Sequence, residues 1–413
     1  MKQLKTQNSK LKTSLVYIAY PNSPNLRSAN AVQTHATLHA LKQLAPDTLV
    51  IIPRMARGPG AFDSIGVRYL PRIGIGRLSR IYRSTLLYYA ERSAFAWMVL
   101  AYLSWLRLRG QHYDVVYVRE VITAFWLALL LPRLTGARVL YEVHDLEARN
   151  HSRARERWAQ PLLQIIDRVT LQVPAGLVSL TEAFRQQLER DGLRPAQDVA
   201  VLPDAYDEQR YYAFSSQERA AARQALGIAP DAILVVYAGL TFAYRGLDML
   251  LDALAEASTT IFGLRAALVG GRPQELVVLR EQAQRLGILE CVTFTGQQDQ
   301  NLVAHYLAAG DILCVPDTVT DVTASPLKLF EYMATGQAII CPDIPALHEI
   351  TGGDGALHVP RRNTSALAQA IIRLAGDPQL RQELGQRALQ RVEPYTYTQR
   401  AKKLLAIAEK HNL

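Results

Sequence analysis

Cysteine is scarce in this chain of 413 residues: there are three, at 291, 314 and 341, all in the second half and all within or directly beside expected strands. Thiols so few and so placed exclude a disulfide framework and point to reduced, buried side chains in a cytosolic protein. Long apolar runs are missing as well. The basic N-terminus is followed only by residues 15–20, too short for the core of an export signal. The apolar stretches 94–106 and 121–131 fall short of the roughly 20 residues that span a bilayer. No Asp-x-Asp occurs and the nine histidines are scattered, so no metal site is expected. Acidic residues are rare at the start: residues 1–112 hold 16 Lys/Arg against three Asp/Glu, while the whole chain carries +9. A basic first half suggests an anionic partner, whether membrane surface, lipid phosphate or nucleic acid, or else a solvated basic face.

What is present is an ordinary globular composition, 49% apolar and 20% charged, in a length that suits two domains. Strands are expected at 15–20, 49–52, 114–118, 137–143, 175–180 and 199–202, with helices at about 29–44, 121–131 and 182–190. Strand, helix, strand implies right-handed parallel crossovers. The same grammar restarts at a strand over 232–237, a loop over 238–246 and a helix over 247–254. It continues through strands at 266–269, 292–296, 311–316, 338–341 and 356–359. Helices at about 364–375, 379–391 and 398–411 end the chain.

The stretch Thr323-Ala-Ser-Pro-Leu-Lys-Leu-Phe-Glu-Tyr-Met-Ala-Thr-Gly336 reads as turn, helix and stop. Ser325 is the expected N-cap and Pro326 the first helical residue, where a missing N–H costs nothing. Leu327, Phe330 and Ala334 form the apolar stripe, and Gly336 ends the helix. The free N–H groups of such a start suit an anion, and Lys328 adds positive charge there. Glu331, one turn on, is able to accept two hydrogen bonds from a diol. Phosphate at the helix start and ribose at the carboxylate is a nucleotide-sugar geometry; an ordinary amphipathic helix with a surface Lys and Glu is the other reading.

This stretch resembles the donor-binding motif of the large retaining GT-B glycosyltransferase family, numbered four among glycosyltransferases (glycosyl transferases group 1). That motif has two Glu separated by seven residues, then Ala-x-Gly and an apolar strand. Glu331 matches the second Glu, which implies a grip on the ribose, while Thr323 stands where the family has the first, sugar-facing Glu. Residues 238–246 correspond to the family's phosphate loop, so Gly239, Thr241 and Arg245 are expected at the donor. Leu240 replaces one family cation, Arg245 stands in for the other, and Lys328 would compensate. Residues 203–207 resemble the family's Pro-Asn-Gly-Val-Asp turn, with Asp204 and Ala205 in place of Asn and Gly. His144-Asp145, at a strand end, implies contact of His144 with the donor sugar or its leaving phosphate, against a histidine that merely caps the next segment. In place of the family's paired glycines after the first strand stand Arg27, Ser28 and Asn30, for substrate contact or for capping a helix.

The resemblance implies an α/β protein of GT-B fold, two Rossmann-like parallel-sheet domains facing across a cleft. Residues 1–207 would form the acceptor side, 208–395 the nucleotide-sugar side, and a helix over 396–413 would pack back on the first. The implied activity is metal-independent transfer of a hexose-type sugar, with retention, from a UDP- or GDP-linked donor to a glycan or lipid-linked envelope acceptor. His144, Arg245, Lys328 and Glu331 would carry it, with Ser325, Pro326 and Leu327 supplying the helix start, and no cofactor. A nucleotide-sugar epimerase of the same fold and a non-catalytic scaffold are the alternatives. Arg77, Arg80, Arg83, Arg92, Arg107 and Arg109 surround the aromatic segment 94–106. Residues 77–109 thus fit an interfacial helix on an anionic membrane, giving a cytoplasmic protein peripheral on the inner face, and fit a buried domain helix as well. Nucleic acid is not the expected partner.

Overall fold

The computed structural model describes residues 13–73, 85–149 and 157–412, apart from positions 22, 24, 27, 55–57, 59 and 319. Arg27, Arg77, Arg80 and Arg83 lie outside the described residues. The chain divides into two compact units. The first runs to Leu180, takes up Arg185–Leu202 and is completed by Thr398–Leu413; the second comprises Thr181–Phe184 and Pro203–Tyr397.

Unit 1 is built on β1 (Leu15–Ile18), β2 (Leu49–Pro53), β3 (Arg68–Leu70), β4 (Val115–Val118), β5 (Arg138–Val143), β6 (Gly176–Ser179) and β7 (Val199–Val201). They form one parallel sheet in the order β3-β2-β1-β4-β5-β6-β7. Every residue of β1 and of β4 is buried, as expected of parallel strands covered on both faces and therefore apolar throughout. The order reverses between β1 and β4, and side chains just beyond their C-terminal ends flank the crevice such a reversal creates. Ser28 caps the helix Ala29–Leu44, its Oγ accepting from the Ala31 N–H at 3.2 Å, so the capping reading of that loop describes Ser28.

The aromatic segment belongs to a longer helix, Thr85–Leu108. Phe95, Val99, Leu103 and Leu106 turn one of its faces into the core. No helix among the described residues is long and apolar enough to cross a membrane. The C-terminal segment closes unit 1: Arg138 Nη1 donates to the His411 carbonyl at 2.5 Å. A Cβ on Gly176 of β6 would lie 2.2 Å from His411 Nε2, so only glycine leaves room for that ring.

Unit 2 carries β8 (Ile233–Ala238), β9 (Leu264–Val269), β10 (Val292–Gly296), β11 (Ile312–Cys314), β12 (Ala338–Pro342) and β13 (Leu357–Val359), all parallel, in the order β10-β9-β8-β11-β12-β13. Alternate residues of β8 feed two apolar layers: Val235 and Tyr237 enter one, Leu234 and Val236 the other, as the two-residue period of a strand requires. The three cysteines are free thiols, Cys314 and Cys341 buried and Cys291 half-buried.

The helix of the motif is Leu327–Thr335, and its N-cap is Pro326, with φ −74° and ψ 116°. This corrects the expected cap: Pro326 is extended rather than helical, and the helix begins one residue later. Ser325 instead uses its Oγ to accept the Asp204 N–H at 3.1 Å, fixing the 203–207 turn within this unit. No side chain caps the helix start. Gly336 ends the helix at φ 68°, a left-handed conformation that favours glycine.

Candidate active site

In unit 2 the predicted donor residues converge beyond the C-terminal end of β8. Gly239 follows that strand at φ 141°, and a Cβ on it would stand 2.6 Å from Lys328 Nζ. The absent side chain is therefore the space into which the lysine reaches. Lys328 Nζ lies 3.8 Å from the centroid of the Tyr237 ring. Burial, and then the Arg245 charge, push its ammonium well below the ordinary lysine range, although Glu331 and Cys314 pull the other way. Arg245 ends a short turn, Ala243–Arg245, that closes on Gly246 at φ 69°. Its Nε is buried and has no hydrogen-bond partner. Two cations close enough to repel, one with an orphaned donor, beside a helix start that no side chain caps, form a site of positive potential suited to an anion.

Glu331 lies one turn further along the same helix. Burial pushes its carboxyl up to about 7 against the pull of Lys328 and Arg210, and the Tyr211 hydroxyl hydrogen-bonds to it. Arg210 in turn pairs with Asp207 at 3.2 Å. A carboxyl held near neutrality beside a buried tyrosine suits recognition of hydroxyls. Thr241 is placed differently from the other predicted residues. Its Oγ1 donates to Glu275 Oε2 at 2.6 Å, and Gly271 leaves it room, since a Cβ there would lie 2.5 Å from that oxygen. Thr241 thus orders the loop and offers no free hydroxyl donor. Thr323, where the resembled motif has a carboxylate, shares a 2.5 Å hydrogen bond with Thr320.

In unit 1 the chemistry gathers where β1, β4 and β5 end. Glu142 is fully buried and takes Arg119 at 2.9 Å and Arg400 at 2.7 Å, together with the Tyr117 hydroxyl. Burial alone would raise its pKa, but the two guanidinium groups hold it well below the usual carboxylate range. Arg119 also donates to Thr34 Oγ1 at 2.8 Å and to Gln33, both on the first helix. His144 Nε2 stands 2.9 Å from Glu142 Oε1 and 3.1 Å from Arg119 Nη2. Burial and then the Arg119 charge lower its pKa, so the imidazole is neutral near pH 7 and serves as a hydrogen-bonding group with no charge of its own.

A pocket of about 160 Å³ opens here, lined among others by Tyr20, Tyr88, Arg92, Glu120, His144 and Asp145. Asn30 lines it too. The Arg92 guanidinium sits 4.0 Å from the ring centroids of both Tyr20 and Tyr88, and 3.6 Å from Glu120. Arg92 therefore faces the pocket, which corrects its expected place among arginines flanking a membrane helix. Glu120 Oε2 accepts from both the N–H and the hydroxyl of Thr123 at 2.7 Å.

Among the predicted residues, Gly239, Arg245, Lys328 and Glu331 come together in unit 2, with Ser325, Pro326 and Leu327 at the same helix start; His144 belongs to unit 1. Arg119, Glu142, Arg92 and Arg400 escape a site prediction from sequence. Arg119-Glu120 directly after an apolar strand, and Glu142 inside one, were readable signals, because a charge in a buried strand needs a partner. Arg400 carried no such signal: it sits on an amphipathic helix 258 residues from Glu142.

The comparisons with known proteins agree with this geometry. Residues 232–377 match the family model described as glycosyl transferases group 1, and residues 30–205 match that of the glycosyl transferase 4-like domain. The chain is 27% identical to a D-inositol 3-phosphate glycosyltransferase of Actinosynnema mirum, over 71% of this chain and 72% of that protein. It is 22% identical to the alpha-D-kanosaminyltransferase of Streptomyces kanamyceticus, over 63% of this chain and 67% of that one. Its fold matches Anabaena HepE in complex with UDP at a TM-score of 0.73, with 17% identity, covering 96% of this chain and 100% of HepE. It matches the sucrose-phosphate synthase of Thermosynechococcus elongatus at 0.76, with 19% identity, covering 96% and 98%. These relatives do not favour the epimerase alternative. With two family models that together span most of its length and two parallel-sheet units of GT-B type, the chain is a glycosyltransferase of group 1, family 4.

Proposed function

We propose that this enzyme transfers a sugar from a UDP- or GDP-linked donor, with retention at the anomeric carbon, to a hydroxyl of a lipid-linked or envelope glycan acceptor bound by unit 1. The observation that carries the donor reading is the approach of Lys328 and Arg245 beside the uncapped start of Leu327–Thr335, in space that Gly239 leaves open. An arriving diphosphate would favour the protonated form of Lys328 and meet the orphaned Arg245 Nε–H, so these groups act where negative charge grows as the glycosidic bond breaks. Glu331 would hold the ribose hydroxyls. Neutral His144, fixed by Glu142 and Arg119, would orient a sugar hydroxyl or a phosphate oxygen. No resident cofactor is invoked.

Structures of HepE with UDP and with UDP-glucose support a nucleotide-sugar donor. The D-inositol 3-phosphate glycosyltransferases among the relatives support a polyhydroxylated acceptor, and the Tyr, Arg and carboxylate lining of the unit 1 pocket suits one. Family membership supports retention. The test is thermal stability against UDP, GDP, ADP and CMP. A ligand at a hundredfold its dissociation constant adds about 2.7 kcal/mol, enough to raise Tm by several degrees. One diphosphate should stabilise the wild type and lose its effect in Glu331→Ala, and the anomeric proton of the product then reads the stereochemistry. No shift with any nucleotide would overturn the donor reading.

A further inference from the structure

All four tryptophans of the chain, Trp97, Trp105, Trp126 and Trp158, lie on or at the start of three helices of unit 1, and none is buried. The helices Thr85–Leu108, Val121–Thr135 and Gln160–Gln172 pack side by side. Trp97, Trp105 and Trp158 are 48%, 43% and 61% exposed, so these rings face solvent instead of filling the core. The first helix is apolar on both sides. Opposite its core stripe, Ala90, Ala94, Trp97, Ala101, Trp105 and Leu108 recur every three or four residues on the outer side without a charge. The Trp97 ring lies 5.2 Å from that of Trp126 on the next helix, which carries the apolar surface on to exposed Leu134. On the third helix Leu162 and Ile165 extend it from Trp158.

Apart from buried Arg92, which faces the unit 1 pocket, the charges on these helices are sorted by sign. Arg107, Arg133 and Arg168 are exposed. The acids turn inward: Glu91 is held by Arg72 and Tyr20, and buried Asp167 accepts the N–H groups of Glu147 and Ala148. An apolar face rich in tryptophan, whose exposed charges are all arginine, has the chemistry of an anionic lipid surface, where indole rings sit at headgroup level. The excess of Lys and Arg in residues 1–112 adds long-range attraction of the same sign.

We propose that this three-helix face docks on an anionic membrane, the surface on which a lipid-linked acceptor is carried; the acceptor part of this statement rests on the transferase reading, the docking does not. Because the chain has no other tryptophan, its emission reports on this face alone. The experiment mixes the full chain with phosphatidylcholine vesicles, with and without phosphatidylglycerol, at low and high salt. The expected result is co-sedimentation with the anionic vesicles, a blue shift of the emission, and weakening of both by salt. The double variant Trp158→Ser, Ile165→Glu should lower partition by about tenfold or more while leaving the nucleotide-induced rise in Tm unchanged. Absence of binding to either vesicle overturns the proposal. So does a dimer in sedimentation equilibrium that the double variant dissociates, which would assign the face to a second copy. In both cases an intact nucleotide shift leaves the donor reading standing.

Discussion

Glu142→Gln is the most informative single change in unit 1. The carboxylate is fully buried and pairs with two arginines, Arg119 at 2.9 Å and Arg400 at 2.7 Å, while also meeting Tyr117 and His144. Glutamine keeps the shape but removes the charge, leaving two guanidinium groups facing each other in a site with little water. Breaking a buried pair by removing one partner costs about 3–5 kcal/mol, because the desolvation of the remaining charge is no longer offset. Spread over a unit of roughly 200 residues, that lowers Tm by about 10 °C. The pH dependence has a defined sign. Glu142 has a folded pKa well below its unfolded value, so its contribution is present above the unfolded pKa and is lost as pH falls through the folded one. The gap between wild type and variant should be full at neutral pH and close in strong acid. Thermal and urea denaturation across pH measure it. A variant within about 1 kcal/mol of wild type at pH 7 would refute the reasoning, because water or a rearranged arginine would then be solvating the cluster.

Two further outcomes are expected at the donor site. Gly239→Ala places a Cβ 2.6 Å from Lys328 Nζ at a φ of 141°; the strained backbone costs about 1–3 kcal/mol of stability. The displaced ammonium should raise KM for the donor more than tenfold, or about 1.4 kcal/mol in binding, and calorimetric titration with the stabilising nucleotide checks this. Glu331 has a folded pKa of about 7 in the free protein, so the fraction able to accept from a ribose diol falls as pH drops from 8 to 6. The Glu331 contribution to donor affinity should weaken over that interval while protonation of Lys328 acts in the opposite sense, so the wild type should lose affinity relative to Glu331→Gln as pH falls; an unchanged difference between the two would reassign the titration.

Much of the molecule follows from local pattern. The apolar runs at β1, β4, β8 and β12, each bounded by turn residues, specify buried parallel strands, because only strands covered on both faces are apolar without alternation. The Lys328 to Gly336 spacing sets a short helix with a cation in its first turn and a carboxyl one turn on, whatever the rest of the chain does. Local signals failed where two groups competed for one partner. Ser325 has the chemistry of an N-cap, yet its oxygen is taken by Asp204, so Pro326 becomes the cap. Thr241 has the chemistry of a phosphate ligand, yet its hydroxyl is spent on Glu275.

The amino-acid order by itself determined the alternation of strands and helices, the parallel sheets, and the family, since each depends on residues within a few turns of one another. Tertiary structure alone decided that Arg400 would neutralise Glu142 from the far end of the chain. It also decided that Arg92 would sit between two tyrosines in a pocket, and that four tryptophans distant in sequence would share one face. These are consequences of packing: a buried charge takes whichever partner the fold brings within reach, and no local periodicity encodes which one that is.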